Sequence, residues 1–366
     1  MAHDPRRTER LKASPRYRDG VFVNTRPVGP MMRKGSMIST MVEFAFGGEK
    51  RRVPHAPLPS QDPRECWQSK PDSGLRATWL GHSTVLLEVD GLRVLTDPVW
   101  GLRASPSSIM GPKRFQPVPV AIEQLPPLDA VVISHDHYDH LCAQSVARLA
   151  KTDVTFVTSL GVGARLEKFG VNPDRIVELD WWEELRLGAL TLTAAPSQHF
   201  SGRGVSDRNA TLWSSFVVRG PKHAVFFSGD TGLTDEYAQI KERLGPFDLV
   251  MLEVGAFHPS WGEIHLGPEN ALRALALLGG GAFLPVHWGT FNLGLHAWDA
   301  PAEELLRFAP GDAPLVMPRL GAPIEPIQIE RVDPWWRVIS REEIVTPETP
   351  RKEEGPAAMI AAGPVD

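Results

Sequence analysis

Cysteine is scarce in this chain: Cys66 and Cys142 are the two among 366 residues, and they lie far apart. No disulfide framework can be drawn from them, and a reducing compartment is the plain inference. Long apolar runs are also missing. No stretch of eighteen apolar residues occurs, so a membrane-spanning helix is not expected. The opening residues, MAHDPRRTERLK, are charged throughout and lack the apolar core of a secretion leader. Nor is there a basic excess. A formal charge of −5 and a pI near 6.2 argue against a nucleic-acid partner. On these absences a cytoplasmic protein is the expectation. What is abundant is turn chemistry, with 34 prolines and 32 glycines, beside 42% hydrophobic residues for a core. That balance suits a β-rich interior with long, site-building loops.

The most informative stretch is VVISHDHYDHL, residues 131–141. Its apolar, β-branched start reads as a strand buried on both faces, and it ends in three histidines and two aspartates. Packing does not ask for such a cluster. In an extended segment residues two apart point the same way, so His135 and His137 can share one metal ion. Asp139 and His140 follow after the chain has turned, and so face a second ion. Cys142 reads as a small buried residue opening a helix.

Three further strands each end in a potential ligand. ALTLTAAP runs into Ser197-Gln198-His199, HAVFFSGD delivers Asp230, and AFLPVHWGT delivers His287. A lone histidine at a strand end is weak evidence, and the recurrence carries the argument. Upstream, RATWL, TVLLEV and LRVLTDP form a β-meander, with Asp90-Gly91 as a hairpin turn. His82 and Asp97 sit where that meander turns or ends, placed to hydrogen-bond the far side of a metal-bound imidazole. The loop 99–127 is too long to be a mere connection, and its Lys113 and Arg114 read either as contacts for a phosphate or as a solvated basic pair. Helical spacing appears in 141–151, 161–169, 234–244 and 268–278, alternating with strands as layered αβ architecture does. Residues 1–75 read as an N-terminal extension, 76–345 as a hydrolase domain and 346–366 as a disordered tail. Within the extension, MISTMVEFAF (37–46), between basic flanks, reads as a strand or helix packed on the domain, with a membrane-surface element as the alternative.

On these motifs the sequence resembles the metallo-β-lactamase superfamily, and more narrowly the family of phospholipases D that hydrolyse N-acylphosphatidylethanolamine. The stretches that carry the likeness are WLGHSTVLLE, ASPSSIMGPKRF, ISHDHYDHL, ELDWWEE, PSQHF, GDTG, LGPFDLVMLEVGAF and VHWGTF. The resemblance implies an α+β fold, an αββα four-layer sandwich with a binuclear metal site at the edge of the two sheets. It implies that His135, His137 and His199 hold one zinc, that Asp139, His140 and His287 hold the other, and that Asp230 bridges them. His265, in EIHLGPENA, falls where the family has a histidine near the site mouth, which orients the phosphate or protonates the leaving group. Iron or manganese would also suit such ligands.

The expected reaction is hydrolysis of an N-acylphosphatidylethanolamine-like phospholipid, or another small phosphodiester, to phosphatidic acid and an N-acylethanolamine. Its nucleophile would be a hydroxide bridging the metals, held by Asp230 and oriented by Asp139. A metal-dependent lactonase or other carbonyl hydrolase is the alternative; a vestigial metal domain sits poorly with seven intact ligands. Trp181, Trp182, Trp213 and Trp261 read as core aromatics rather than an acyl groove. By resemblance the protein would form a homodimer and touch the inner membrane peripherally.

Overall fold

The computed structural model describes residues 5–28, 51–107, 109–204, 206–258, 261, 263–328 and 331–339. The segment 37–46 and the tail after 346 lie outside the described residues.

Period-two alternation in the meander sets up the first sheet. In β3 (Leu75–Gly81), β4 (Thr84–Val89) and β5 (Leu92–Thr96), Ala77, Trp79, Val85, Leu87 and Val94 face one cluster, whereas Leu80, Leu86 and Leu95 face another. Both faces are apolar because both are covered. The turn Asp90-Gly91 has φ of 50° and 91°, the left-handed pair that a tight hairpin requires. The chain then crosses over to β6 (Ala130–Ile133), β7 (Thr155–Ser159) and β8 (Ile176–Leu179), each parallel to its neighbour. With the short β15 (Pro323–Ile324), the order is β15-β3-β4-β5-β6-β7-β8.

The second sheet has β9 (Glu184–Leu187), β10 (Leu190–Ala195), β11 (Ser215–Arg219), β12 (Ala224–Phe227), β13 (Leu249–Glu253) and β14 (Ala282–Val286), in the order β14-β13-β12-β11-β10-β9. Strands β12, β13 and β14 are parallel and the rest antiparallel.

Val85, Leu87 and Val132 meet Leu192, Phe216 and Phe227 between the two sheets. On the outer face of the first sheet, α2 (Ala143–Leu149) and α3 (Gly163–Lys168) supply Val146, Leu149 and Leu166. On the second, α4 (Glu236–Leu244), α5 (Gly267–Leu278) and α6 (Ala300–Phe308) pack from outside. In α5 the buried Ala271, Ala274, Leu275 and Leu278 form one stripe, and Gly279 at φ 93° ends the helix. The four-layer sandwich expected from the sequence is therefore the observed architecture. Trp181 and Trp213 lie in a small core with Phe22 and Leu212.

Two local readings change. The N-terminal extension, in which no further element was legible, holds α1 (Pro5–Ala13) and a hairpin of β1 (Tyr17–Arg18) and β2 (Val21–Phe22). Arg7 ties α1 to the domain through Glu167 and Glu178. Arg114 is neither solvated nor at a phosphate site. It is buried and donates to the carbonyls of Val99, Gly101 and Gln116, with Phe291 stacked 4.6 Å away. The guanidinium staples the long loop closed, and burial pushes it down to about 10.

Away from the site, buried Arg76 pairs with buried Glu88, which also accepts from Arg93. Glu88→Ala would leave a guanidinium in the interior without its counter-charge, so a loss of about 3 kcal/mol is expected in urea unfolding. Metal content should not change.

Candidate metal centre

Strands β3, β5, β6, β10, β12, β13 and β14 all run the same way within their sheets, so their C-terminal ends gather at one edge of the sandwich. Ligands in open sheets collect at such ends because the loops there are free of ladder hydrogen bonds. His82 follows β3, Asp97 follows β5, His135 to His140 follow β6, His199 follows β10, Asp230 follows β12, Glu253 ends β13, and His287 follows β14. His82, Asp97 and His287 have φ of 52°, 32° and 66°. Such a conformation costs energy in a residue with a Cβ, and surrounding structure must impose it.

Two groups of side chains converge. In the first, His137 Nδ1 lies 2.8 Å from His135 Nε2 and 3.3 Å from His199 Nε2, while Asp230 Oδ2 is 3.9 and 3.7 Å from those same two Nε2 atoms. In the second, His140 Nε2 lies 3.1 Å from Asp230 Oδ1 and 3.5 Å from Asp139 Oδ2, and His287 Nε2 lies 3.2 and 3.3 Å from the same two oxygens. Asp230 thus offers one oxygen to each group. All seven residues singled out from the motifs come together here.

The second nitrogens explain why the first ones point inward. His140 Nδ1 donates to Asp97 at 2.6 Å, and Asp97 also accepts from the Ser134 amide and hydroxyl. His199 Nδ1 donates to the carbonyl of Ile264 at 3.0 Å, and His135 Nδ1 lies 2.9 Å from Ser134 Oγ. With those nitrogens engaged, the Nε2 lone pairs face one another and face carboxylate oxygens. His140 Nε2 and Asp230 Oδ1 have no hydrogen-bond partner although both are buried. Converging lone pairs without a donor are what a cation site requires, so these residues fit a pair of divalent ions.

His82 sits against the second group, its Nε2 3.0 Å from Asp139 Oδ2 and its ring 4.0 Å from that of His287. Its amide is held by Thr290 Oγ1 at 2.7 Å. Burial pushes His82 down to about 3, so it is a neutral donor to Asp139. Burial opposes charge on His287 as well, but the carboxylates of Asp230 and Asp139 outweigh it and lift that imidazole to about 10. His140 is raised well above its ordinary value in the same way, whereas burial and neighbouring imidazoles hold His135 and His199 well below it. Asp139 and Asp230 stay well below the usual carboxylate range despite burial, chiefly through His140.

Glu253 was not singled out from the sequence. It is fully buried, and both its oxygens lie within 3.1 Å of His265 Nδ1 while it also accepts from the amides of Thr231 and Leu266. Burial works against a charged His265, and Glu253 reverses the balance, raising it. The signal was an acidic residue closing the apolar run LVMLE. Asn24 was equally hidden: it accepts from the His199 amide and donates to the His199 carbonyl from a segment remote in sequence.

Residues 92–288 match the sequence model of the β-lactamase superfamily domain. An uncharacterized protein of Mycobacterium tuberculosis is 45% identical over 330 residues, covering 89% of this chain and 88% of its own. N-acyl-phosphatidylethanolamine-hydrolyzing phospholipase D 1 of Caenorhabditis elegans is 40% identical over 235 residues, 61% of this chain and 66% of that protein. Among solved structures, an isothiocyanate hydrolase from Delia radicum gut bacteria superposes with a TM-score of 0.55 at 22% identity, over 68% of this chain and 98% of that one, which speaks for the fold. With the sandwich, the two converging groups and these likenesses in place, the chain belongs to the metallo-β-lactamase superfamily of metal-dependent hydrolases and is similar, within it, to the N-acylphosphatidylethanolamine phospholipases D.

Proposed function

We propose that this protein is a binuclear metal-dependent phosphodiesterase of the phospholipase D type, acting on N-acylphosphatidylethanolamine-like lipids. The observation that carries the binuclear reading is Asp230, whose two oxygens face two separate groups of imidazoles. The phosphodiester reading is supported by likeness to the C. elegans enzyme and to the mitochondrial N-acyl-phosphatidylethanolamine-hydrolyzing phospholipase D of Saccharomyces cerevisiae, 34% identical over 238 residues, half of that protein.

His135, His137 and His199 would hold one ion, Asp139, His140 and His287 the other, and Asp230 both. When bound, two divalent ions such as zinc, iron or manganese supply Lewis acidity towards phosphoryl oxygens and make a water acidic enough to ionise near neutral pH. The chain's own groups set the stage for that chemistry. Asp97 and the Ile264 carbonyl fix the tautomers of His140 and His199, and His82 steadies Asp139. His265 has Nδ1 committed to Glu253, so Nε2 is its remaining nitrogen and can give a proton to the departing alkoxide. Among the described residues no helix is long and apolar enough to cross a membrane. A different feature supports peripheral contact. Leu102, Ile109 and Met110 stand 71, 78 and 70% exposed on the long loop, which also carries exposed Lys113.

The zinc-loaded protein is expected to release phosphatidic acid from N-acylphosphatidylethanolamine in mixed micelles. His137→Ala and Asp139→Ala should each lower turnover at least about a hundredfold and remove close to one metal per chain by elemental analysis. Opening of a lactone with the lipid untouched would replace the phosphodiesterase reading with the carbonyl one. Asp97→Asn should weaken metal affinity by about 10- to 100-fold in a chelator competition while the fold, read by circular dichroism, persists. Replacing Leu102, Ile109 and Met110 together by Asp should cut sedimentation with anionic vesicles several-fold; unchanged sedimentation would remove this loop from the membrane contact.

A further inference from the structure

A cavity of about 580 Å³ opens beside His199, between the N-terminal hairpin and the loops that follow β10 and precede α5. Its size is within the range of small-molecule sites, about 300–1,000 Å³. Val21, Val23 and Val28 form one wall, and Phe200 and Ile264 the other. Three guanidiniums, those of Arg18, Arg26 and Arg208, line it as well, against the single carboxylate of Asp19. Arg26 also reaches the exposed Asp235, and Arg208 lies 4.7 Å over the ring of Phe200. An apolar lining with a surplus of arginine suits a ligand that is greasy along its length and negative at one point.

The walls are fixed to the centre. Asn24 holds the backbone of His199 from both sides and accepts from the indole of Trp213 at 3.1 Å. The Phe22 amide donates to the Asn209 carbonyl at 2.8 Å. One wall of the cavity is therefore clamped to a residue of the first converging group. That wall also lies outside the residues that match the superfamily model, 92–288. A pocket that shares His199 with the centre, and is walled in part by residues outside the matched region, is where substrate selection would be placed.

We infer that this cavity binds the apolar chain of an anionic amphiphile, with Val21, Val23, Val28, Phe200 and Ile264 against the chain and the arginines against its negative group. The inference refines the substrate side of the centre proposed above and rests on that reading for its chemistry, but the binding itself needs no metal. The negative group belongs either to a phosphate ester or to a carboxylate, as in a free fatty acid.

Titration calorimetry of the full-length, chelator-treated protein tests it, with dodecyl phosphate, dodecanoate, butyl phosphate and neutral dodecyl maltoside, all below their micellar concentrations. Dodecyl phosphate or dodecanoate is expected to bind at least tenfold tighter than butyl phosphate and dodecyl maltoside. The tighter of the two anions identifies the headgroup. Val23→Trp and Val28→Trp, which fill the cavity from two positions, and Arg208→Ala should each weaken that binding at least fivefold, with circular dichroism reporting the fold of every variant. Equal affinity for the short and long phosphates, equal affinity for the neutral detergent, or wild-type binding in all folded variants overturns the inference. The two proposals fail separately. Amphiphile binding as described, with no phosphodiester cleaved by the zinc-loaded protein, removes the phosphodiesterase and leaves the pocket; cleavage of the lipid without such binding does the reverse.

Discussion

Seven imidazoles, those of His82, His135, His137, His140, His199, His265 and His287, share one buried edge with the carboxylates of Asp97, Asp139, Asp230 and Glu253. Lone pairs and like charges brought this close repel, and burial makes each unpaired group more costly than it would be in water. The rest of the molecule can be understood as the means of holding that edge together. Two sheets with interlocked apolar faces supply rigid strand ends, and the residues that follow them accept left-handed backbone at His82, Asp97 and His287 because packing on both sides leaves no alternative. Stability built in the sandwich is spent, in part, on geometry at its edge.

Second contacts turn a crowd of ligands into two ordered groups. Each fixed hydrogen bond removes one way in which the imidazoles could satisfy one another: Asp97 takes His140, Ile264 takes His199, and Glu253 takes His265. What remains is a set of lone pairs with a common direction. Asp230, between the two groups, links them into one centre, and His265 lies beside them with its own carboxylate, Glu253, its ring 5.1 Å from that of His199 and 5.5 Å from that of His287. The N-terminal hairpin, clamped to His199, adds a wall to the cavity beside it.

Much of this was legible beforehand because its signals are local. Most of the strands were identified from period-two or unbroken apolar patterns, although several readings ran past the observed ends, and the Asp90-Gly91 turn has the conformation its residues demand. The seven candidate ligands could be named since each interrupts or follows an apolar run at a strand end, where a polar residue has no packing reason to be. Asp97 was legible for the same reason, and His82 lies at the same edge but bonds the carboxylate of Asp139 in place of an imidazole. Arg114 was misjudged because charge suggests solvent or phosphate, whereas three backbone carbonyls and an aromatic face can house a guanidinium in a closed loop.

The sequence by itself determined the succession of most strands and of the helices α2 to α5, the two-sided burial of the central strands and the residue types that gather at the candidate centre, because each follows from patterns a few residues long. The tertiary structure alone decided which oxygen of Asp230 faces which imidazoles, that Glu253 serves His265, and that Asn24 holds the backbone of His199, 175 positions away. Those facts depend on crossing distances that no local pattern encodes. They were settled only when the two sheets packed and brought their strand ends to one edge.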